Sequence, residues 1–467
     1  MTTPEHPPHA PAAAGSQPAA HSSADTAGSA PTAATPAAQS DPPMTLRRAA
    51  GMSYFPIAFI GRFPFAMMIV GTMTLVVAAR DSIALAGLNS AVVGLGSALI
   101  GPLLGAAADR FGQRIVLLVA GVVHSLALMA LAGVAFSALP NAAVLAVAFV
   151  IGASSPQIGP FSRSRLVGLI LTRLPAQRRA KSLNATMGYE SAADETAFVF
   201  GPVVVGLLAT TMSPAAPMIG AGLLTLVFVT AFALHPTAHT GRSSADAPVE
   251  QAPARELLSP HILVVVAGAL GVGLYFGTVL TSLTAFLDEM GRGESAGLLY
   301  GVMGVGSTIL ALSVGLWPER FRLWARWLVF SSLMLASMLG FAVSDTVTGV
   351  VVAMGIAGIG IGPTVVTLYS LAAEHSPRGR SATVMTMLGS ATVVGQSATS
   401  ALTGAVAERV GADTAMWLPV VASALVVVAA LVNAALRRGR AQHGAREAEQ
   451  DFQANATALR ERPTEHL

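Results

Sequence analysis

Six ionisable residues sit inside stretches of sequence that are otherwise apolar: Arg62, Arg163, Arg165, Glu190, Asp194 and Glu195. Glu190 and Asp194 are four apart, which puts both on one face of a helix. A carboxylate held in a low-dielectric surrounding can take up a proton, and a neighbouring guanidinium then sets when it lets go. The same groups could instead form a structural salt-bridge network, or the arginines could bind an anionic substrate. Three bases against three acids leave the set balanced. Other chemistry has little support. The chain has no Cys, hence no thiolate nucleophile, no disulfide and no Cys-ligated metal. Its histidines fall mainly in terminal and loop segments, and none of them suggests a catalytic metal. A G-x-x-x-x-G-K-[ST] phosphate loop is missing, so ATP is not expected to act directly. Neither a metal nor a cofactor is expected.

Buried charges need an apolar medium and helices to carry them through it. Hydrophobic residues make up 53% of the 467, charged residues 11%, and the mean hydropathy is +0.64. An ordinary soluble domain carries about 25% charge, so the second solvent here is the bilayer. A net charge of +3 is too small to argue for nucleic acid. A span needs roughly 20 apolar residues, and the sequence predicts twelve. They run over 54–79, 83–105, 115–137, 141–172, 183–211, 215–234, 260–288, 295–317, 324–343, 346–373, 381–408 and 414–436. Runs of this length without period-two alternation argue against strands. The fold class is therefore all-α membrane protein.

Residues 1–48 are a Pro/Ala/Ser/Thr tail expected to be disordered and cytoplasmic, and 438–467 a second cytoplasmic tail. The hydrophilic stretch 236–259 reads as a cytoplasmic linker between two halves, 49–235 and 260–437, of six spans each. Sixteen Arg and Lys residues fall in loops on the side of the N-terminus, against Arg80, Arg292 and Arg409 on the other. By the positive-inside rule both termini are cytoplasmic. An internal repeat is visible as well. Gly105-x-x-x-Asp109-Arg110-Phe111 follows the second span, and Gly315-x-x-x-Glu319-Arg320-Phe321 follows the eighth, at an offset of 210.

The segment GPLLGAAADRFGQR, Gly101 to Arg114, resembles the signature loop of the major facilitator superfamily. Gly105, Asp109, Arg110, Gly112 and Arg114 match it, and Gln113 stands where a basic residue is usual. The resemblance covers about 52–437 and implies two six-helix bundles that rock about a central cavity. It also implies a conformational latch at Gly105, Asp109, Arg110, Gly112 and Arg114. Physically, Gly105 permits close helix approach, and Asp109 can accept hydrogen bonds from a helix N-terminus or an Arg. Gly188, Gly201, Pro202 and Gly206 partly match a span-five pattern of exporters in the same superfamily, with Ala197 and Val205 in place of two glycines. Gly201 and Pro202 form a candidate hinge.

Depth can be reckoned from helical rise. Arg163 lies about 14 Å from the inner end of span four, Glu190 about 10 Å and Asp194 about 16 Å into span five. Arg163 therefore falls between the levels of the two acids. The second half offers Ser390, Val394 and Gly395 at the equivalent places, so the fold itself does not require these charges. Tyr275, Tyr369 and Gln396, with Thr278 and Ser282, could line a cavity, although a helix–helix hydrogen bond suits each of them better. The reading is a secondary active transporter of the plasma membrane, a monomer, exporting a small apolar or amphipathic molecule in exchange for protons. The alternative is a proton symporter or facilitator for uptake of a small polar metabolite. A transport-dead receptor of the same fold and an intramembrane enzyme rank below both. Asp194 is the first choice for proton carrier, Glu190 the second, and Arg163 the modulating partner.

Overall fold

The computed structural model describes residues 45–239, 251–292, 296–318 and 320–438. The tail at 1–44, the centre of the linker, residues 293–295, Glu319 and the tail from 439 lie outside the described residues. A short helix, Leu46–Ala50, precedes twelve longer ones. We number these α1 (Tyr54–Arg80), α2 (Ile83–Phe111), α3 (Gln113–Ala135), α4 (Asn141–Arg173), α5 (Ala176–Thr211) and α6 (Ala216–Leu234). The second half supplies α7 (Pro260–Glu289), α8 (Ala296–Leu316), α9 (Leu323–Ala342), α10 (Val347–His375), α11 (Ser381–Val410) and α12 (Ala412–Arg438). Eleven of the twelve are both long and apolar enough to cross a bilayer. The exception is α11, which is long enough at 30 residues but carries many Ser, Thr and Gly. The described residues include no strand.

Helix ends depart from the hydropathy reading where charge lies inside a helix. The second span continues to Phe111, six residues beyond its apolar run, so Asp109 and Arg110 belong to its last turn. Only Gly112 separates α2 from α3. Its φ of +93° is a conformation that side chains oppose. α5 starts at Ala176, seven residues before its apolar run, and continues unbroken through Pro202. Two spans are interrupted instead. α1 turns at Gly61 and Arg62 between Tyr54–Ile60 and Phe63–Arg80. α4 breaks at 155–157 between Asn141–Ser154 and Ile158–Arg173, where Pro156 has no amide proton to give.

Helix faces are sorted by size. On α2, Leu88, Leu95, Leu99 and Leu103 are exposed, as expected of a lipid-facing stripe. The opposite side presents Gly94, Gly101 and Gly105 to Ser397, Ser390 and Thr386 of α11. A related contact joins α5 to α8, with Gly188 against Ala311 and Gly315 against Ala185. Gly105 and Gly315, the two ends of the internal repeat, therefore occupy matching crossings between the halves. In lipid, where apolar burial drives nothing, such crossings hold by close van der Waals approach.

Within the first half, Gly96 and Gly152 let α2 and α4 touch backbone to backbone, since a Cβ at Gly152 would collide with the Val93 carbonyl. Gly152→Val should lower the melting temperature in detergent through overpacking, by about 1–3 kcal/mol. Gly133→Val, where a Cβ meets open space, should melt as the parent does. Equal melting of both variants would show that this crossing is slack.

Candidate functional site

Four of the six intramembrane ionisable residues come together at the interruptions of α1 and α4. Arg62, at the turn in α1, donates from Nε to Asp194 Oδ1 at 2.7 Å and from Nη1 to the Ala58 carbonyl at 2.6 Å. Its Nη2 pairs with Glu190 Oε2. Arg163 reaches the other oxygen of Asp194, Nη1 to Oδ2 at 2.7 Å, and donates from Nη2 to Ser191 Oγ at 3.3 Å. Asp194 is thus shared by two guanidiniums. The second oxygen of Glu190 accepts from Ser162 Oγ at 2.9 Å, and Ser162 Oγ is 2.8 Å from the Tyr54 hydroxyl. The guanidinium of Arg163 lies 3.7 Å over the Tyr369 ring, which belongs to the second half.

Local sequence explains why this is possible. Gly159 opens the inner segment of α4, and a Cβ there would stand 2.8 Å from Asp194 Oδ1 and 3.1 Å from Arg163 Nη1. The missing side chain is the space in which the ion pair forms. Glu190 and Asp194 face Arg62 together because they are one helical turn apart. Two cations and two anions cancel, as burial of charge demands, and Arg62 divides its three nitrogens among Asp194, Glu190 and the Ala58 carbonyl. Exposure is uneven. The side chain of Asp194 is 23% exposed, against 3% for Arg62 and 0% for Glu190 and Arg163.

That exposed edge looks into a cavity of about 70 Å³, lined from both halves. Arg62, Phe65, Gln157, Asp194 and Phe198 come from the first, and Tyr369, Thr392 and Gln396 from the second. The volume is that of about two waters. Gln157, inside the α4 break, donates from Nε2 to Ser97 Oγ at 3.0 Å and to Ser390 Oγ at 3.4 Å, bridging the halves.

The other candidates are elsewhere. Arg165 is not part of a six-membered cluster. It stacks at 3.9 Å over Phe232 and donates to the Phe232 carbonyl at 2.9 Å, to Thr237 at 3.1 Å and to Gln113 Oε1 at 3.2 Å. Two residues along a helix is a rotation of about 200°, so Arg165 faces away from Arg163. Glu195 also leaves the cluster, one residue and about 100° from Asp194. It is buried, has no ion pair among the described residues, and its electrostatic neighbours include Asp194 as well as Ser307, Tyr275 and Tyr300. Tyr275 does not line the cavity. Its hydroxyl lies 3.4 Å from Met303 Sδ in the core of the second half. Ser282 donates at 2.6 Å to the Ala415 carbonyl and Thr278 to its own helix, as helix-packing groups do. Gly201 packs against Ala66 of α1, and Gly206 faces open space.

The signature segment divides by role. Asp109 accepts from the Ala382 amide at 3.0 Å, and from the Thr383 amide at 2.7 Å and hydroxyl at 2.6 Å. These are first-turn donors of α11, where a carboxylate meets both free amides and the positive end of the helix dipole. Gly105 lies one turn earlier against Ala382, Thr383 and Thr386. Arg110 is exposed beside the Phe111 ring, and Arg114 is exposed with no ion pair among the described residues. Gln113 accepts from Arg165, so the usual basic residue would meet a guanidinium there. His235, just past α6, contacts Ser53 at 3.2 Å. Burial, with Arg165 nearby, holds its imidazole below the ordinary value.

Sequence reasoning missed Gln157, Gly159, Ser162, Phe65 and Phe198. Gly159 carried a signal, four residues before Arg163 on the same helical face. The two Phe residues carried none, since any span offers such side chains.

A family model described as Major Facilitator Superfamily matches residues 54–398. No curated protein matches the sequence. Among solved structures, the human organic anion transporter MFSD10 aligns with 84% of this chain and 100% of its own, at 15% identity and a TM-score of 0.61. A bacterial homologue of the iron transporter ferroportin, in its outward-facing state, aligns over 84% of this chain and 98% of its own, at 17% identity and a TM-score of 0.65.

Truncating one member of a buried ion pair leaves its partner as an uncompensated charge. Arg62→Met should therefore destabilise the protein by roughly 3–5 kcal/mol, read as a lowered melting temperature in detergent. Adding Glu190→Leu to that variant should restore part of the loss. A double variant no more stable than the single one would mean that the two residues do not interact.

Proposed function

The chain belongs to the Major Facilitator Superfamily, and on that premise we propose that this multi-pass membrane transporter exports a small apolar or amphipathic molecule in exchange for protons. Asp194 would carry the proton. The observation that supports this reading is the exposure of Asp194, whose side chain is the most exposed of the four-residue cluster and lines the cavity beside Arg62. Protonating Asp194 removes the charge that holds Arg62 and Arg163 in place. Arg163 then keeps Tyr369 as its partner, so the protonation state of the first half is felt by the second. Export, rather than uptake, rests on the partial match of Gly188, Gly201, Pro202 and Gly206 to the exporter pattern. Phe65 and Phe198 give the cavity apolar walls, while Gln157, Gln396 and Tyr369 give it polar edges. That mixture suits an amphipathic molecule.

In this reading residues 49–235 and 260–437 are the moving halves, in the plasma membrane, with both termini cytoplasmic and the protein acting as a monomer. Asp109 is the latch that closes the side of the membrane where α2 ends. Glu195 is a second acid within reach of the cycle, since no guanidinium neutralises it. Uptake of a small polar metabolite by symport would use the same cavity through Gln157 and Gln396. The direction of substrate accumulation against an imposed pH gradient separates the two.

Proteoliposomes test the proposal. Asp194→Asn should abolish gradient-driven accumulation and substrate-induced proton movement while sparing downhill exchange. Unchanged proton movement would remove Asp194 from the mechanism, and Glu195→Gln in the same assay reports on the second acid. Asp109→Asn should leave membrane abundance near that of the parent and slow transport severely, because the first turn of α11 loses its anionic acceptor. Normal flux at equal abundance would exclude a latch at that contact.

A further inference from the structure

The end of the molecule that carries Pro260, Leu323, His375 and Arg438 holds a second cavity of about 400 Å³, which shares no residue with the one above. Several chain segments meet there. His261 comes from the first turn of α7, Arg322 and Trp324 from the start of α9, Glu374 and His375 from the end of α10, and Arg437 and Arg438 from the end of α12. The His261 and His375 rings stack at 5.3 Å and form one wall. Arg437 pairs with Glu374 at 2.6 Å across a partly exposed contact. Arg322 and Arg438 are exposed and make no ion pair among the described residues. Three guanidiniums therefore face one carboxylate.

Topology alone does not account for this arrangement. Arginines that set orientation need only lie in loops on one side. That requirement does not draw residues 322, 374 and 437–438, from separate parts of the chain, around a single hollow. The positive ends of α7 and α9 are offset there by the negative ends of α10 and α12, so the guanidiniums carry the field. Their planar forks match the oxygens of a phosphate. Helix ends of a membrane protein lie at headgroup level, where a Trp such as Trp324 is at home, and basic pockets between helices at that depth take phosphate headgroups.

We propose that this cavity is a binding site for a phosphate-bearing anion, filled in the membrane by the headgroup of an anionic phospholipid. Arg322 and Arg438 contact the phosphate oxygens, and Arg437, held by Glu374, frames the site. The proposal is independent of the transport reading, since it uses none of the residues assigned to it.

The test uses the full-length protein in a neutral detergent, titrated with phosphatidylglycerol, phosphatidylcholine or inorganic phosphate while its melting temperature is followed. Phosphatidylglycerol should raise the melting temperature saturably, and phosphatidylcholine should not. The double variant Arg322→Gln/Arg438→Gln should need roughly thirtyfold more phosphatidylglycerol, the loss of two cationic contacts. Arg178→Gln, at an exposed arginine in the first turn of α5, should titrate as the parent does. A shift with inorganic phosphate but none with phosphatidylglycerol would keep the phosphate site and assign it to a soluble anion. Equal titration of the parent and the double variant would overturn the proposal, as would a phosphatidylcholine response matching that to phosphatidylglycerol. Should the double variant fold poorly, bound phosphatidylglycerol counted by native mass spectrometry on Arg438→Gln decides the matter. Undiminished occupancy there counts against the site.

Discussion

A charge in the middle of a bilayer must be neutralised by its neighbours, and this requirement shapes the first half of the molecule. Each such charge costs roughly 2.5–3.5 kcal/mol or more if left alone. Asp194 meets it by lying between Arg62 and Arg163, and Glu190 by sharing Arg62. The surrounding irregularities follow. α1 turns at Arg62, which delivers its guanidinium sideways onto α5. α4 breaks at Pro156, and Gly159 then vacates the volume that the ion pair occupies. Ser162 and Ser191 take up donors and acceptors that the pairs leave over. Irregular backbone at membrane depth is tolerated where it lines a cavity, and both breaks border one.

The second half has Ser390, Val394 and Gly395 where the first has Glu190, Asp194 and Glu195, and its two main crossings with the first half are built on small residues. Gly105 against Thr386 and Gly315 against Ala185 are the same crossing built twice. Such crossings are tight because no Cβ intervenes, yet they contain few directional bonds. Asp109, accepting from Ala382 and Thr383, adds direction to one of them. The other receives a weaker bond of this kind, from Arg326 Nη1 to Asn184 Oδ1 at 3.4 Å. The two interface crossings are thus alike in packing and unlike in electrostatics.

The twelve helices were legible because lipid demands apolar runs of fixed length, and that demand acts residue by residue. Boundaries failed where helices extend past the apolar layer, at Phe111 and at Ala176, since hydrogen bonding rather than hydropathy continues them. α11 is read correctly as a helix although its Ser, Thr and Gly residues dilute its hydropathy, because those residues face α2 and α7. Depth was also legible, since rise per residue is constant, and it put Arg163 level with the two acids. Azimuth was not. Arg165 and Glu195 share that depth and turn away, and nothing in one sequence says which side of α4 or α5 meets α1. Tyr275 and Tyr369 illustrate the same gap. Both are polar aromatics within spans, but one is locked in the second core beside Met303 and the other lies under Arg163.

One helix connects the ionic site with the interface contact. α11 begins at Ser381, where Asp109 holds its first amides. Eight residues on, or about 12 Å, Gly389 stands directly against Gln157 and Pro160 at the α4 break, and Ser390 accepts from Gln157. Three and seven residues further, Thr392 and Gln396 line the cavity beside Asp194. A rigid helix cannot swing at its first turn and stay fixed at its second and third. Any motion that frees Ala382 and Thr383 from Asp109 must therefore also slide Gly389 and Ser390 along Gln157. Conversely, a change at Asp194 that repositions the α4 break is delivered to the same helix. In the proposed cycle, proton binding and opening are coupled through the stiffness of α11, and no chain of intervening side chains is needed to carry the signal.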